Sequence, residues 1–206
     1  MKQQPSHLLL RENTVLLLVD HQVGLLTGVR DISTSTLKHN VAGLAKACRI
    51  LGVPVVVTSA GALWGPTVPE LLAVLPEVKI IERNLVNAWD DKNIVKAIEA
   101  TGRKQILIAG ISLEVCAAFP AISAKAAGYD PRVVVDASGT FNGAKTHTGL
   151  LRLSTLGIQV TDYATAAVEL LKDNADPKAH DVYGAINMDF ANLVWQLSDA
   201  VKKGNK

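Results

Sequence analysis

The apolar positions of this chain follow two periods in turn. Short apolar runs of strand length are separated by stretches in which apolar residues recur every three or four positions, the pattern of stacked βαβ units on a mostly parallel sheet. Val15-Leu16-Leu17-Leu18-Val19 reads as the first strand. Leu37, Val41, Leu44, Ala45, Cys48 and Leu51 then share one helical face, closed by Gly52 before Pro54 opens the next element. Residues 55–58 read as the second strand, 59–69 as a loop, 70–75 as a short helix and 78–82 as the third strand. A helix over 93–100 leads to a fourth strand at 105–109 and a helix over 113–127, stopped by Gly128. Strands at 132–135 and 158–161 flank a helix over 145–156, and helices over 164–172 and 187–201 complete the chain. The last helix carries Met188, Phe190, Leu193, Val194, Leu197 and Val201 on one face. That face either caps the monomer or packs on a neighbouring subunit.

Composition narrows the function classes. With 206 residues, 49% of them hydrophobic, the chain can bury a full core and is expected to form one domain over residues 1–206. The net charge is +2, with Lys and Arg scattered among Asp and Glu, which argues against nucleic acid as a partner. The apolar runs fall far short of the ~20 residues that span a bilayer, and the opening Met1-Lys2-Gln3-Gln4-Pro5-Ser6-His7 has no apolar core of secretory length. Cys48 and Cys116 are the only cysteines and have no CxxC spacing, so neither a disulfide framework nor a zinc motif is present and a reducing cytoplasm is expected. His7, His21, His39, His147 and His180 are dispersed without metal-ligand spacing. No metal or other cofactor is expected.

Cys116 is the leading chemical candidate. It follows the run Gln105–Gly110 and opens a helical pattern, where unpaired N–H groups and the helix dipole favour a thiolate. Asp20 ends the first apolar run and Arg83 follows the third. If those runs are parallel neighbours, an acid, a cation and a thiol meet at one sheet edge. Together they would supply a base and a positive field for a nucleophilic cysteine, with the backbone N–H groups of Ser112 and Cys116 as an oxyanion hole and Gly110 allowing the turn. Taken singly, each residue has a plainer explanation: a small buried hydrophobe, a turn cap, a surface ion pair. Cys48, on the apolar face of the first long helix, is assigned to the core. Trp64, Asn87, Trp89 and Phe141 follow strands at the edge where open α/β sheets bind ligands, and are candidate pocket walls.

The stretch Leu16-Leu17-Leu18-Val19-Asp20-His21-Gln22, the Gly110–Cys116 turn, and Gly128-Tyr129 followed by Val133-Val134-Val135-Asp136-Ala137 resemble the isochorismatase-like cysteine hydrolases. Asp20-His21-Gln22-Val23-Gly24-Leu25-Leu26, Asn87-Ala88-Trp89-Asp90 and Asp136-Ala137-Ser138-Gly139-Thr140-Phe141-Asn142 are similar to the YcaC-type branch of that superfamily. The resemblance implies a three-layer, Rossmann-like α/β fold with a six-stranded parallel sheet and helices on both faces. It implies a triad in which Cys116 is the nucleophile, Asp20 the base and Arg83 the cation, with a cis peptide bond between Ile111 and Ser112. The branch also implies a homo-octamer. Two departures from the wider superfamily stand out. Arg83 replaces the usual lysine and cannot shuttle a proton at neutral pH. The segment after the second strand, residues 58–66, lacks the histidines that hold a metal in the nicotinamidases. His21, next to Asp20, reads as structural. The expected activity is cofactor-independent hydrolysis of a small amide- or imide-type C–N bond through a thioester. The alternatives are vinyl ether hydrolysis of the isochorismatase type, which does not require the thiol, and a non-catalytic scaffold of the same fold.

Overall fold

The computed structural model describes residues 8–204, so the opening segment and His7 lie outside the described residues. Six strands form one all-parallel sheet: β1 (Thr14–Val19), β2 (Val55–Ser59), β3 (Ile80–Glu82), β4 (Gln105–Gly110), β5 (Asp130–Val134) and β6 (Gln159–Thr161). Their spatial order is β3-β2-β1-β4-β5-β6, with β1 and β4 paired at the centre. Between those two strands the winding reverses direction, which opens a crevice beyond their carboxyl ends.

The helices are α1 (Val23–Leu26), α2 (Thr34–Leu51), α3 (Pro69–Val74), α4 (Lys92–Glu99), α5 (Ala118–Ala126), α6 (Gly143–Thr155), α7 (Tyr163–Leu171), α8 (Ala179–Ile186) and α9 (Asp189–Gly204). Every residue of β1 and β4 is buried, as the near-continuous apolar runs require for strands covered on both faces. Side chains alternate across the sheet. Leu16, Leu18, Leu107 and Ala109 join a core with α2, α7 and α8. Val15, Leu17, Ile106 and Ile108 join a second core with α4, α5 and Leu153 of α6. Cys48 is fully buried in the first core, where burial pushes its thiol up to about 12.

The helix ends follow from local chemistry. Ser33, Asp91, Asn142 and Asp162 each accept a backbone N–H at the start of α2, α4, α6 and α7. Gly52 ends α2 in the left-handed region, at φ 72°.

The structure differs from the sequence reading in several places. The stretch between 172 and 187 contains α8, to which the sequence pattern assigns no element: it is eight residues long and opens at Lys178 without a side-chain cap. Its Val182 and Ile186 are buried against α2. A short helical turn, α1, follows β1, in a stretch to which the sequence pattern assigns no element. The third strand is only three residues long, starting at Ile80 rather than 78. Among the described residues no helix is long and apolar enough to cross a membrane.

Candidate active site

The strand register brings the chemistry together. Val19 pairs with Thr58 on one side and Gly110 on the other, and Ser59 pairs with Glu82. The next residue of each strand therefore lies just beyond the carboxyl edge of the sheet: Asp20, Ala60, Arg83 and Ile111. β3 is not a neighbour of β1, since β2 lies between them. Arg83 reaches across β2, its backbone N–H anchored on the Ser59 carbonyl at 3.0 Å.

Arg83 Nη2 donates to Asp20 Oδ2 at 2.6 Å, and both side chains are only 1% exposed. Asp20 is held in the left-handed region at φ 60°, its own N–H donating to the Thr58 carbonyl. Two polar atoms of the pair, Asp20 Oδ1 and Arg83 Nε, are buried without a partner of regular hydrogen-bond geometry among the described residues. The Cys116 thiol nonetheless lies close enough to the carboxylate for a hydrogen bond to weigh on both titrations. Burial raises the Asp20 carboxyl above its ordinary value, against the opposing pull of Arg83 and of the thiol.

The thiol itself is also pushed up, by burial first and then by the Asp20 charge and hydrogen bond, against the Arg83 charge and the Ser112 backbone. This corrects the expectation of a helix-stabilised thiolate. Cys116 does not cap a regular helix; it lies in a π-helical turn over Leu113–Ala117 that precedes α5. At the sulfur the Asp20 charge outweighs that of Arg83, so the pair does not favour a thiolate. Burial and the Asp20 charge thus favour the protonated thiol beside this carboxylate.

The oxyanion expectation also needs revision. The Cys116 N–H donates to the Ser112 carbonyl at 2.7 Å and is engaged within the turn. The Ser112 backbone faces the Cys116 sulfur, where its N–H opposes the rise in the thiol's pKa. The peptide bond joining Ile111 to Ser112 is cis. Gly110 is required here by close approach: a Cβ on it would stand 2.9 Å from the Cys116 carbonyl carbon. Ser138 reinforces the turn, donating to the Val134 carbonyl and accepting from the Gly110 N–H.

Asp20, Arg83, Ser112 and Cys116 line a cavity of about 600 Å³. Its walls are apolar, formed by Leu25, Leu63, Trp64, Leu85, Val86 and Phe141. Trp64 and Phe141 thus occur where the sequence suggests. Asn87 and Trp89 do not line the cavity. Asn87 donates to Asp90 and Ser123 and accepts from the Trp89 N–H, while Trp89 meets the Tyr129 ring edge-on at 5.3 Å, so both serve to close the loop before α4. The Asn84-Leu85-Val86 segment takes their place. An apolar pair, Leu85-Val86, two residues beyond Arg83 in an otherwise polar loop is the signal that could have identified it.

Gln22 is a second residue the sequence reading passed over. It is 1% exposed, and its amide donates to the carbonyls of Gly61 and Gly65 while its oxygen accepts from the Ala60 N–H. These bonds set the loop that carries Leu63 and Trp64. Gly24 packs under the same loop, where a Cβ would come within 2.6 Å of the Trp64 carbonyl oxygen. His21 is buried with Nε2 on the Ala137 carbonyl at 2.9 Å, and burial lowers its pKa to about 4, so the ring is neutral and ties the Asp20 turn to the end of β5. Among the described residues no three His, Cys, Asp or Glu side chains group as metal ligands.

Comparison with known proteins agrees with this architecture. The isochorismatase domain family matches residues 14–165. The chain is 45% identical over 166 residues to the probable hydrolase YcaC of Escherichia coli (strain K12), covering 79% of this chain and 80% of that protein. The crystal structure of the E. coli YcaC gene product, described as an octameric hydrolase of unknown specificity, superposes with a TM-score of 0.89 at 39% identity, covering 96% of this chain and 99% of that one. YcaC from Pseudomonas aeruginosa, solved with hexane-2,5-diol and covalent acrylamide, gives a TM-score of 0.87 at 37% identity over 95% of this chain and 99% of that one.

Proposed function

The chain belongs to the isochorismatase family of hydrolases, on its YcaC branch, and from that premise we propose that it hydrolyses a small amide- or imide-type C–N bond with Cys116 as nucleophile. The observation that carries this reading is the buried Asp20–Arg83 pair, whose carboxylate stands within reach of the Cys116 thiol on a cavity floor.

Attack of the Cys116 sulfur on the substrate carbonyl forms the S–C bond as the thiol proton passes to Asp20. A raised carboxyl pKa makes that transfer less uphill than it would be to an ordinary aspartate. Arg83 stays charged throughout, holds Asp20 in place and stabilises developing negative charge. The Ser112 N–H is the oxyanion donor. Collapse of the tetrahedral adduct breaks the C–N bond, and the leaving nitrogen takes the proton from Asp20. Water, deprotonated by Asp20, then adds to the thioester, and the departing sulfur recovers the proton. The covalent acrylamide in the P. aeruginosa relative supports a reactive nucleophile in the family, since acrylamide alkylates thiols.

The test is a screen of small amides and imides on wild type, Cys116→Ser and Asp20→Asn, with intact-mass detection of an acyl adduct. Loss of turnover in both variants, and an adduct mapped to Cys116, are the expected results. A hydrolysed substrate whose turnover survives both changes would overturn the mechanism and redirect the search to vinyl ethers.

We extend the assembly of the octameric relative to this chain as well. Phe190, Leu193, Val194, Leu197 and Val201 form an exposed apolar face along α9 that a second copy would cover. Light scattering showing only monomer at micromolar concentration would contradict it.

A further inference from the structure

The charge balance and walls of the cavity bear on what can enter it. Asp20 and Arg83 neutralise each other at 2.6 Å, and apart from the Cys116 thiol no other ionisable side chain lines the space. The remaining lining is largely apolar, with Leu25, Leu63, Trp64, Leu85, Val86 and Phe141 rising from the polar floor. A ligand carboxylate or ammonium placed here would leave water without an uncommitted counter-ion, and such a transfer is strongly unfavourable. The floor is polar without net charge: Ser112 and the Cys116 thiol line it beside the mutually neutralised Asp20 and Arg83, and Asn84 adds a side-chain amide. A neutral carboxamide presents the complementary set, a carbonyl acceptor and N–H donors, on one uncharged group.

We propose that the substrate is an uncharged carboxamide carrying an apolar group, which lies against the Leu63, Trp64, Leu85 and Val86 walls, and that carboxylate-bearing molecules such as isochorismate are excluded. The inference rests on the amide-hydrolase reading for its chemistry, but the charge selectivity is a binding property. Leu63 is 84% exposed at the rim, so the apolar group can extend toward the mouth without being fully enclosed.

The experiment uses a six-carbon series, hexanamide, its isostere hexanoate, and hexylamine, titrated calorimetrically into the full-length Cys116→Ser protein at pH 7.5. This variant keeps the cavity and cannot turn the amide over. Hexanamide is expected to bind at least about tenfold more tightly than either charged partner, and Trp64→Asp is expected to weaken it further. Equal or tighter binding of hexanoate or hexylamine, or no binding of hexanamide at millimolar concentration, overturns the proposal. Neutral-selective binding without any hydrolysis by wild type leaves the selectivity standing and counts against the amide-hydrolase reading instead.

Discussion

Arg83→Gln removes the counter-ion of a carboxylate that is 1% exposed, and the cost can be worked from the structure. At 2.6 Å the pair attracts by roughly 6 kcal/mol at an effective dielectric of 20. The variant need not lose all of this, because Asp20 can take a proton. Protonating a carboxylate of ordinary pKa near 3.9 at pH 7 costs about 4 kcal/mol, at 1.36 kcal/mol per unit, which sets a ceiling. It agrees with the ~3–5 kcal/mol typical of a broken buried pair. At pH 5 the same ceiling falls to about 1.5 kcal/mol.

The direction of the pH effect follows from the raised folded-state pKa of Asp20. A group that holds its proton more tightly when folded adds stability below its unfolded value, and that stability is lost as pH rises through the folded value. Losing Arg83 moves the folded value higher and widens this window upward. Urea unfolding of wild type and Arg83→Gln between pH 5 and 8 should therefore show a deficit of about 3–4 kcal/mol at pH 7 that shrinks markedly toward pH 5. The double variant Asp20→Asn with Arg83→Gln should lose much less than the single one. A deficit independent of pH, or below ~1 kcal/mol at pH 7, would refute the argument that Asp20 is a buried charge held by Arg83.

Two further predictions concern the thiol and the wall loop. Because the Asp20 charge helps raise the Cys116 pKa while Arg83 lowers it, Asp20→Asn should increase Cys116 alkylation by iodoacetamide at pH 7 even as it abolishes turnover; peptide mapping after timed labelling, with unchanged or slower labelling of the variant, would contradict this balance of charges. Gln22→Leu removes side-chain bonds at 3.0, 2.6 and 2.9 Å. It should cost about 1–3 kcal/mol and speed hydrogen exchange across residues 60–65, while raising KM for an amide substrate more than it lowers kcat; unaltered exchange there would show that the loop holds itself.

How much of this was legible beforehand depends on the range of the interactions. The strands and most helices are local patterns: continuous apolar runs in β1 and β4, a 3.6-residue stripe in α2, and glycine at its end. α8 escaped because its eight residues open at Lys178 without a side-chain cap to mark the start, and packing against α2 holds the helix in place. There, Tyr163 Oη donates to the Ile186 carbonyl and Gly43 lets the two backbones approach. Trp64 and Phe141 were found because they follow strand ends; Asn87 and Trp89 satisfy the same rule and turn instead toward α5 and Tyr129.

The sequence by itself determined the α/β alternation and which residues could carry acid, cation and thiol, since these are properties of side chains and of periods along the chain. Only the tertiary structure decided their state. It set β2 between β1 and β3, and it cancelled the Arg83 charge against Asp20. It also engaged the Cys116 N–H in a π-turn and buried the thiol beside Asp20, which raises the pKa that helix-dipole reasoning expects to fall. Ionisation and hydrogen-bond supply depend on burial and on partners 63 residues apart, as in the Arg83–Asp20 bond. No local pattern records either.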